Sequence, residues 1–300
     1  QATRTNCMKT YRDLYSNLCS LENLNLAFRK ARRNKSSMPY VIKFEENLEK
    51  NCKKLHQELS SLTYQPFRLK RFIVRDPKTR TIHSSIFRDR VIYHAICNII
   101  EPIFEKIFIH DSYANRKNKG THKAVLRFDR FQRKISHNGR LVKNALNNNL
   151  VQGYVLKADI KKYFENVDHE ILIKLLKKKI RDKCLINLIK LILDSYNSQV
   201  KWKGMPLGNL TSQFFANVYL TELDYFVKYK LKAKYYIRYV DDFVILQRSR
   251  NVLDYYKNKI SKYLQNELKI ELHPQKSKIQ PLRNGTTFLG YKIFYHYRLL

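Results

Sequence analysis

Three stretches of this chain predict an α+β fold, in which helices separate the strands without regular βαβ alternation. Val41, Phe44, Leu48, Cys52, Leu55, Leu59 and Leu62 recur at steps of three and four, the spacing of one apolar helical face. Residues 154–159, YVLKAD, alternate so that Val155, Lys157 and Asp159 share one face of a strand ending at Asp159. Residues 235–246, YYIRYVDDFVIL, set two adjacent aspartates between aromatic and β-branched runs, the pattern of two buried strands joined by a tight turn.

The remaining elements follow in chain order. PFRLKRFIVRDPKTRTIHS alternates roughly and breaks at Asp76-Pro77, so it reads as a basic β-hairpin. Helical spacing resumes from Phe87 to Phe108, with an interruption expected at Pro102. SYANRKNKGTHKA reads as a loop, and a polar segment covers residues 136–152. HEILIKLLKKKIRDKCLINLIKLILDS is one long helix or two short ones with basic outer faces. KGMPLGNLTSQFFANVYLTELDYFVKY is a Pro/Gly loop feeding a helix, with Leu210 and Thr211 near its start. A further helix is expected over about 251–267, then short strands around FLGYKIFYHYRLL. No internal repeat or low-complexity linker interrupts the chain.

With 300 residues, 44% of them hydrophobic, the chain can bury a sizeable core in one large or two interlocked domains. Lys and Arg total 59 against 25 Asp and Glu, a formal net charge of +34, which points to a polyanionic partner, most often nucleic acid. Charge alone leaves open an acidic membrane surface or a lysine-rich genome. No apolar run approaches a membrane span and no signal peptide is evident, so a soluble, cytoplasmic protein without a membrane partner is expected. The chain begins at Gln1 rather than Met, so an upstream segment is expected to be missing. Cys7, Cys19, Cys52, Cys97 and Cys184 are odd in number and widely spaced, which predicts free thiols rather than a zinc site or disulfide framework. His83, His94, His122 and His273 show no ligand spacing and read as surface or core residues.

The aspartates carry the chemistry. An Asp pair at a hairpin tip is by itself either ordinary turn chemistry or one end of a metal site. If that hairpin lies beside the strand ending at Asp159, Asp159, Asp241 and Asp242 converge. Such a cluster repels itself unless a cation neutralises it, and an all-oxygen set suits Mg²⁺, which takes few carboxylates together with waters and phosphates. Two Mg²⁺ ions could activate an attacking hydroxyl and stabilise a leaving pyrophosphate.

Taken together, these segments resemble a reverse transcriptase from about residue 20 to the end. LKADIKKYFENVDH resembles motif A, KGMPLGNLTSQFFANVYL motif B, YIRYVDDFVIL the Y-x-D-D motif C, LHPQKSKI motif D and FLGY the primer-grip motif E. The upstream segment FRDRVIYHAICNIIEPIFEKIFIHDSYANRKNKGTHKA is similar to bacterial group II-like enzymes. Within these, GMPLGNLTSQFFANVYLTELDYFV most resembles the enzymes of diversity-generating retroelements. The resemblance implies a right-hand polymerase with an antiparallel palm sheet and mostly helical fingers. It places fingers at 1–87 and 170–207, palm at 88–169 and 208–295, and the start of a truncated thumb at 296–300.

The resemblance also assigns roles. Asp159 and Asp241 would bind both metals, Ile160 would add its carbonyl and Asp242 would complete the set. Phe164 matches the steric gate that selects deoxynucleotides; without the neighbouring Asp159 it reads rather as plain core. Tyr239 would lie under the primer end, with Gln213 and the motif E residues Phe288, Leu289 and Gly290 also at primer and template. Arg75, Lys78 and Arg80 fall where the family holds the triphosphate, which suits the fork of Arg80 best; any one of them also reads as a solvated charge. Lys276 matches the motif D general acid, with Lys278 as a rival.

One departure concerns specificity. Group II-type enzymes carry Pro-Gln-Gly where this chain has Pro206-Leu207-Gly208. Leu207 offers bulk without a hydrogen bond, which should relax discrimination at the nucleotide. In the diversity-generating subgroup an aliphatic residue here goes with error-prone copying at template adenines, and Ser212-Gln213 completes that pattern; as a plain residue Leu207 is packing. The expected activity is RNA-directed DNA polymerisation, with RNA template, DNA or RNA primer, RNA–DNA hybrid and dNTPs as partners. The family also implies a small, basic helical accessory protein. Rival readings are a group II intron-type enzyme, an antiphage-defence polymerase and a non-catalytic RNA-binding scaffold. Only nine residues follow FLGY, so truncation before a thumb is expected, or a clamp supplied by another protein.

Overall fold

The computed structural model describes residues 9–76, 79–141, 148–196 and 200–300. Along the chain run α1 (Leu14–Cys19), α2 (Leu21–Arg32), α3 (Pro39–Glu45), α4 (Leu48–Ser60), β1 (Lys70–Val74), β2 (Arg80–Ser84), α5 (Phe87–Glu105) and α6 (Thr121–His137). Next come β3 (Tyr154–Asp159), α7 (Tyr163–Asn166), α8 (His169–Lys177), α9 (Lys183–Asp194), α10 (Leu210–Tyr225), β4 (Tyr235–Tyr239) and β5 (Asp242–Gln247). The chain closes with α11 (Arg250–Leu268), β6 (Lys278–Pro281), β7 (Thr286–Phe288), β8 (Tyr291–Ile293) and β9 (Arg298–Leu299). Two compact units result. One takes the described residues up to Ile107 with Phe164–Tyr219, the other Phe108–Tyr163 with Leu220–Leu300.

In the first unit α2 packs along α5, burying Leu24, Ala27 and Phe28. Ser20 caps α2 by accepting from the Asn23 amide, a preferred side-chain cap. The apolar spacing of residues 41–62 predicts one helix, but the structure breaks it at Glu46-Asn47 into α3 and α4. Asn47 leaves helical geometry at φ −121°, ψ 36°, and Asn51 Nδ2 donates to the Phe44 carbonyl at 2.9 Å, satisfying a group the break would orphan. Phe44 is held meanwhile against Phe28 and Phe87, ring centroids 5.8 and 5.2 Å away. The interruption expected at Pro102 does not occur, since α5 runs through it to Glu105. Buried Ile96, Ile100, Ile103 and Phe104 flank the proline, and their packing offsets the ~3 kcal/mol that an interior proline costs.

The basic hairpin forms as β1 and β2, antiparallel, with every β1 residue exposed. Fully buried Asp89 accepts from Tyr64 Oη and the Phe67 amide, both at 2.9 Å, which ties the segment before β1 to α5. The open choice over residues 169–195 resolves as two helices. Asp182 caps α9 through the Leu185 amide at 3.0 Å and also accepts from the Tyr15 amide at 2.8 Å, so its side chain starts a helix that the apolar spacing would have continued.

The second unit is built on an antiparallel sheet of order β4-β5-β3-β6. α6 covers one face through Phe128, Phe131 and Ile135, packed with Val155, Ile237, Val244, Leu246, Phe288 and Ile293. On β3 and β5, α11 also packs, burying Leu253, Ile260 and Leu264. A smaller antiparallel sheet, β7-β8-β9, completes the unit. The sequence reading had no helix at α6, which starts inside the expected loop, and no strand at β6. Cys19, Cys52, Cys97 and Cys184 are free thiols; Cys7 lies outside the described residues. Among the described residues no helix is long and apolar enough to cross a membrane.

Candidate active site

The register of the second unit's sheet assembles the acidic cluster. Asp159 opposes Asp242 across β3 and β5, and Tyr239 opposes Asp242 across β4 and β5. Directly opposed residues share a face, so Asp159, Asp242 and Tyr239 stand together, with Lys157 one step further along that face. Because Tyr239 pairs with Asp242, the turn is Val240-Asp241 and Asp242 is already the first residue of β5. The aspartates thus divide between turn and strand rather than forming the turn together. Val240 has φ +54°, the sign that primed hairpin turns require at their first central position. For a β-branched residue this conformation costs roughly 1–3 kcal/mol. The Ile160 amide donates to the Asp241 carbonyl at 3.2 Å, holding the turn against the end of β3.

The electrostatic setting of Asp242 follows first from its burial. Burial pushes the Asp242 carboxyl up to about 7; Lys157, 3.9 Å from Oδ2, opposes the rise, while Asp159 and Asp241 add to it. Asp242 Oδ1 is buried without a hydrogen-bond partner, a position that favours a cation or a proton. Lys276 Nζ lies 3.3 Å from Asp159 Oδ1, whereas Lys278 is an exposed β6 residue paired with Lys157. Ser277 Oγ stands 3.4 Å from both the amide and the carbonyl of Asp159, and the His273 amide donates to that carbonyl at 2.7 Å. The segment bearing Lys276 is thereby fastened to the end of β3.

Among the described residues, no group of three or more His, Cys, Asp or Glu side chains is arranged as a metal cage. The donor set nevertheless fits Mg²⁺. It is all oxygen, burial and then the neighbouring Asp159 and Asp241 raise the Asp242 pKa, and one of its oxygens is orphaned. Mg²⁺ needs only one or two protein carboxylates beside waters and phosphates.

Each other predicted residue is placed within its own unit. In the first, the Phe164 carbonyl accepts from the Met205 amide at 2.7 Å, and the ring is half-buried. The Leu207 carbonyl accepts from the His83 amide of β2 at 3.1 Å, resting the Pro206-Leu207-Gly208 loop on the basic hairpin. Gly208 has φ +108°, and a Cβ there would meet Ile82 Cγ2 at 2.9 Å, so both backbone and space call for glycine. Gln213 is half-buried on the first turn of α10; Arg75 and Arg80 are exposed at the loop end of the hairpin, where Arg80 pairs with Val74. Lys78 lies outside the described residues.

In the second unit, Tyr239 Oη pairs with Thr121 Oγ1 at 3.2 Å. Leu289 and Gly290, φ +54° and +89°, form the two-residue turn between β7 and β8, as a type I′ turn requires. Phe288 is wholly buried, 6.1 Å from the Phe128 ring, so its side chain belongs to the core and only the Leu289-Gly290 tip offers surface. Sequence reading passed over Lys157, Ser277, Arg238 and Asp224. For Lys157 a signal existed, since it shares the strand face of Asp159.

Residues 74–293 match the family model described as reverse transcriptase (RNA-dependent DNA polymerase). The chain belongs to the reverse transcriptase family. Among curated relatives of this chain is the group II intron-encoded protein LtrA of Lactococcus lactis subsp. cremoris, 25% identical over 315 residues that cover 82% of this chain and 50% of LtrA. Protein YkfC of Escherichia coli K12 is 24% identical, covering 80% of this chain and 70% of YkfC. The chain spans about half the length of LtrA. Among solved structures, apo telomerase from Candida tropicalis shares the fold, with TM-score 0.56 and 14% identity over 77% of this chain and 48% of that one.

Proposed function

We propose that this reverse transcriptase-family chain carries the polymerase core of an RNA-directed DNA polymerase copying an RNA template into cDNA. The observation that supports it most is the cross-strand pair Asp159/Asp242, with Asp241 on the adjoining turn and Lys276 against Asp159. A scaffold that only bound RNA would gain nothing from a carboxylate whose charge burial disfavours. Fingers would comprise 1–87 and 170–207, and palm 88–169 and 208–295.

In this reading Asp159, the Ile160 carbonyl, Asp241 and Asp242 would hold two Mg²⁺ ions. When bound, these would supply charge stabilisation for the attacking primer 3′-hydroxyl and the leaving pyrophosphate. Lys276, whose Nζ lies beside Asp159, would deliver a proton to a pyrophosphate oxygen. Arg75, Lys78 and Arg80 would bind the dNTP triphosphate, and Phe164 would exclude a ribose 2′-hydroxyl. Tyr239, Gln213 and the Leu289-Gly290 tip would bear on primer and template. Surplus positive charge, +34 over the chain, would hold RNA template and hybrid through their phosphates.

Leu207, in place of the group II glutamine, supports error-prone copying at template adenines of the diversity-generating kind, with a basic helical accessory protein as partner. The relative LtrA, a group II intron-encoded protein, favours an intron-type enzyme as the second reading. Extension of a DNA primer on RNA with dNTPs and Mg²⁺ tests the activity. Wild-type protein should extend and Asp241→Ala should not, and equal behaviour of the two would refute catalysis at this site.

A further inference from the structure

The strained turn that carries Asp241 is braced from behind by a buried ion pair with no role in the scheme above. Arg238 alternates with Tyr239 along β4, so its side chain leaves by the face opposite the aspartates. Arg238 and Asp224, on the last turn of α10, are both wholly buried. Arg238 Nε and Nη2 donate to the two carboxylate oxygens of Asp224, each at 2.7 Å, and Tyr236 Oη donates to the same carboxylate at 2.8 Å. The remaining nitrogen, Nη1, donates to the Val240 carbonyl at 3.1 Å. The strand itself is clamped, because the Arg238 amide donates to the Asp111 carbonyl at 3.0 Å and its carbonyl accepts from the Tyr113 amide at 2.9 Å.

The Val240 carbonyl belongs to the planar peptide that leads into Asp241. Holding that oxygen sets the orientation of the whole peptide and hence the start of Asp241. Val240 is also the residue in the disfavoured φ +54° conformation, which persists only where surroundings over-determine it. A guanidinium can grip a carboxylate with two nitrogens and a carbonyl with a third, which an ammonium on a flexible stem cannot do in one fixed plane. As a source of stability alone, a buried ion pair is a poor choice against apolar packing.

We infer that Arg238, fixed by Asp224, is a positioning residue that locks the Val240-Asp241 peptide and so sets the Asp241 carboxylate for the reaction. This rests on the catalytic reading of Asp241. Its test combines Arg238→Lys, which keeps a charge opposite Asp224, with Val240→Gly, which removes the conformational cost at the turn. Steady-state primer extension should show Arg238→Lys lowering kcat by ~10–100-fold with KM for dNTP changed less than about threefold. Amide exchange over residues 239–243 should quicken in Arg238→Lys while exchange in α6 and α11 stays as in wild type. Adding Val240→Gly should recover much of both effects, which loss of packing alone would not allow.

If Arg238→Lys leaves kcat and turn exchange unchanged, or if Val240→Gly gives no recovery, the positioning role is overturned. Should Arg238→Lys fail to fold, recovery of folding in the double variant supports the role and continued failure overturns it. Wild-type protein inactive in primer extension would sink the polymerase reading instead, and the exchange measurements would still decide whether Arg238 holds the turn.

Discussion

Replacing Asp242 by Asn should make the protein more stable and abolish its proposed activity, with an effect that depends on pH and on divalent cations. The Asp242 carboxyl rises from an ordinary 3.8 to about 7, chiefly through burial and then through Asp159 and Asp241. Because the folded value lies above the unfolded one, Asp242 favours the fold most below about pH 4, and that contribution is lost as pH rises towards 7. A rise of this size corresponds to about 4 kcal/mol at ~1.4 kcal/mol per pH unit. Its side chain keeps 22% exposure, so solvent screening brings the figure to roughly 2–4 kcal/mol. At ~2–4 °C per kcal/mol for chains of similar size, Asp242→Asn should raise Tm by roughly 5–10 °C at about pH 8 in chelator, and by little at about pH 4. Mg²⁺ or Mn²⁺ should raise the wild-type Tm at about pH 8 and leave Asp242→Asn nearly unmoved. Thermal denaturation of both proteins across pH, with and without divalent cation, measures all of this. An Asn variant no more stable than wild type above about pH 7 in chelator, or a wild type indifferent to divalent cations, would refute the argument.

Phe164→Val should admit ribonucleotides, raising the ratio of rNTP to dNTP incorporation by ~10–200-fold, the range one altered steric contact supplies; single-nucleotide extension kinetics measure it, and an unchanged ratio would return Phe164 to plain core. Leu207→Gln should restore a hydrogen-bonding side chain beside the nucleotide and lower misincorporation opposite template adenine, read by sequencing the products; an unchanged error spectrum would count against the mutagenic reading. Gly208→Ala, at φ +108° with Ile82 Cγ2 2.9 Å from the new Cβ, should cost roughly 1–3 kcal/mol and lower Tm, whereas substitutions at exposed Gly139, which has open space, meet only the backbone penalty.

What local periodicity can carry was legible in the chain. Alternation marked β3 up to Asp159, helical spacing marked α5, and the aromatic-flanked Asp pair marked a hairpin. Ordered motifs on those elements pointed to the family that residues 74–293 match. Charge composition, +34 overall, pointed to a polyanion before any element was placed. The periodic signals arise from residues a few positions apart, where backbone geometry alone dictates which side chains share a face.

The rest needed contacts between distant segments. Sequence spacing placed the turn on Asp241 and Asp242 together, but the pairing of Tyr239 with Asp242 moved it to Val240-Asp241. Strand register, which joins residues more than eighty positions apart, set Asp242 opposite Asp159 and added their repulsion to the burial that chiefly raises the Asp242 pKa. That Lys276 rather than Lys278 lies against Asp159 depends on how the segment around Ser277 is fastened to β3. Pro102 is tolerated only because packing holds both sides of it, and α3 parts from α4 because Asn51 satisfies the carbonyl that the break exposes. Arg238 gave no local signal at all, since its meaning lies in Asp224, a helix away, and in a carbonyl that only the folded turn presents. Side-chain type and short-range spacing are written in the chain, but register, burial and the electrostatic environment of a buried charge exist only once the strands have paired.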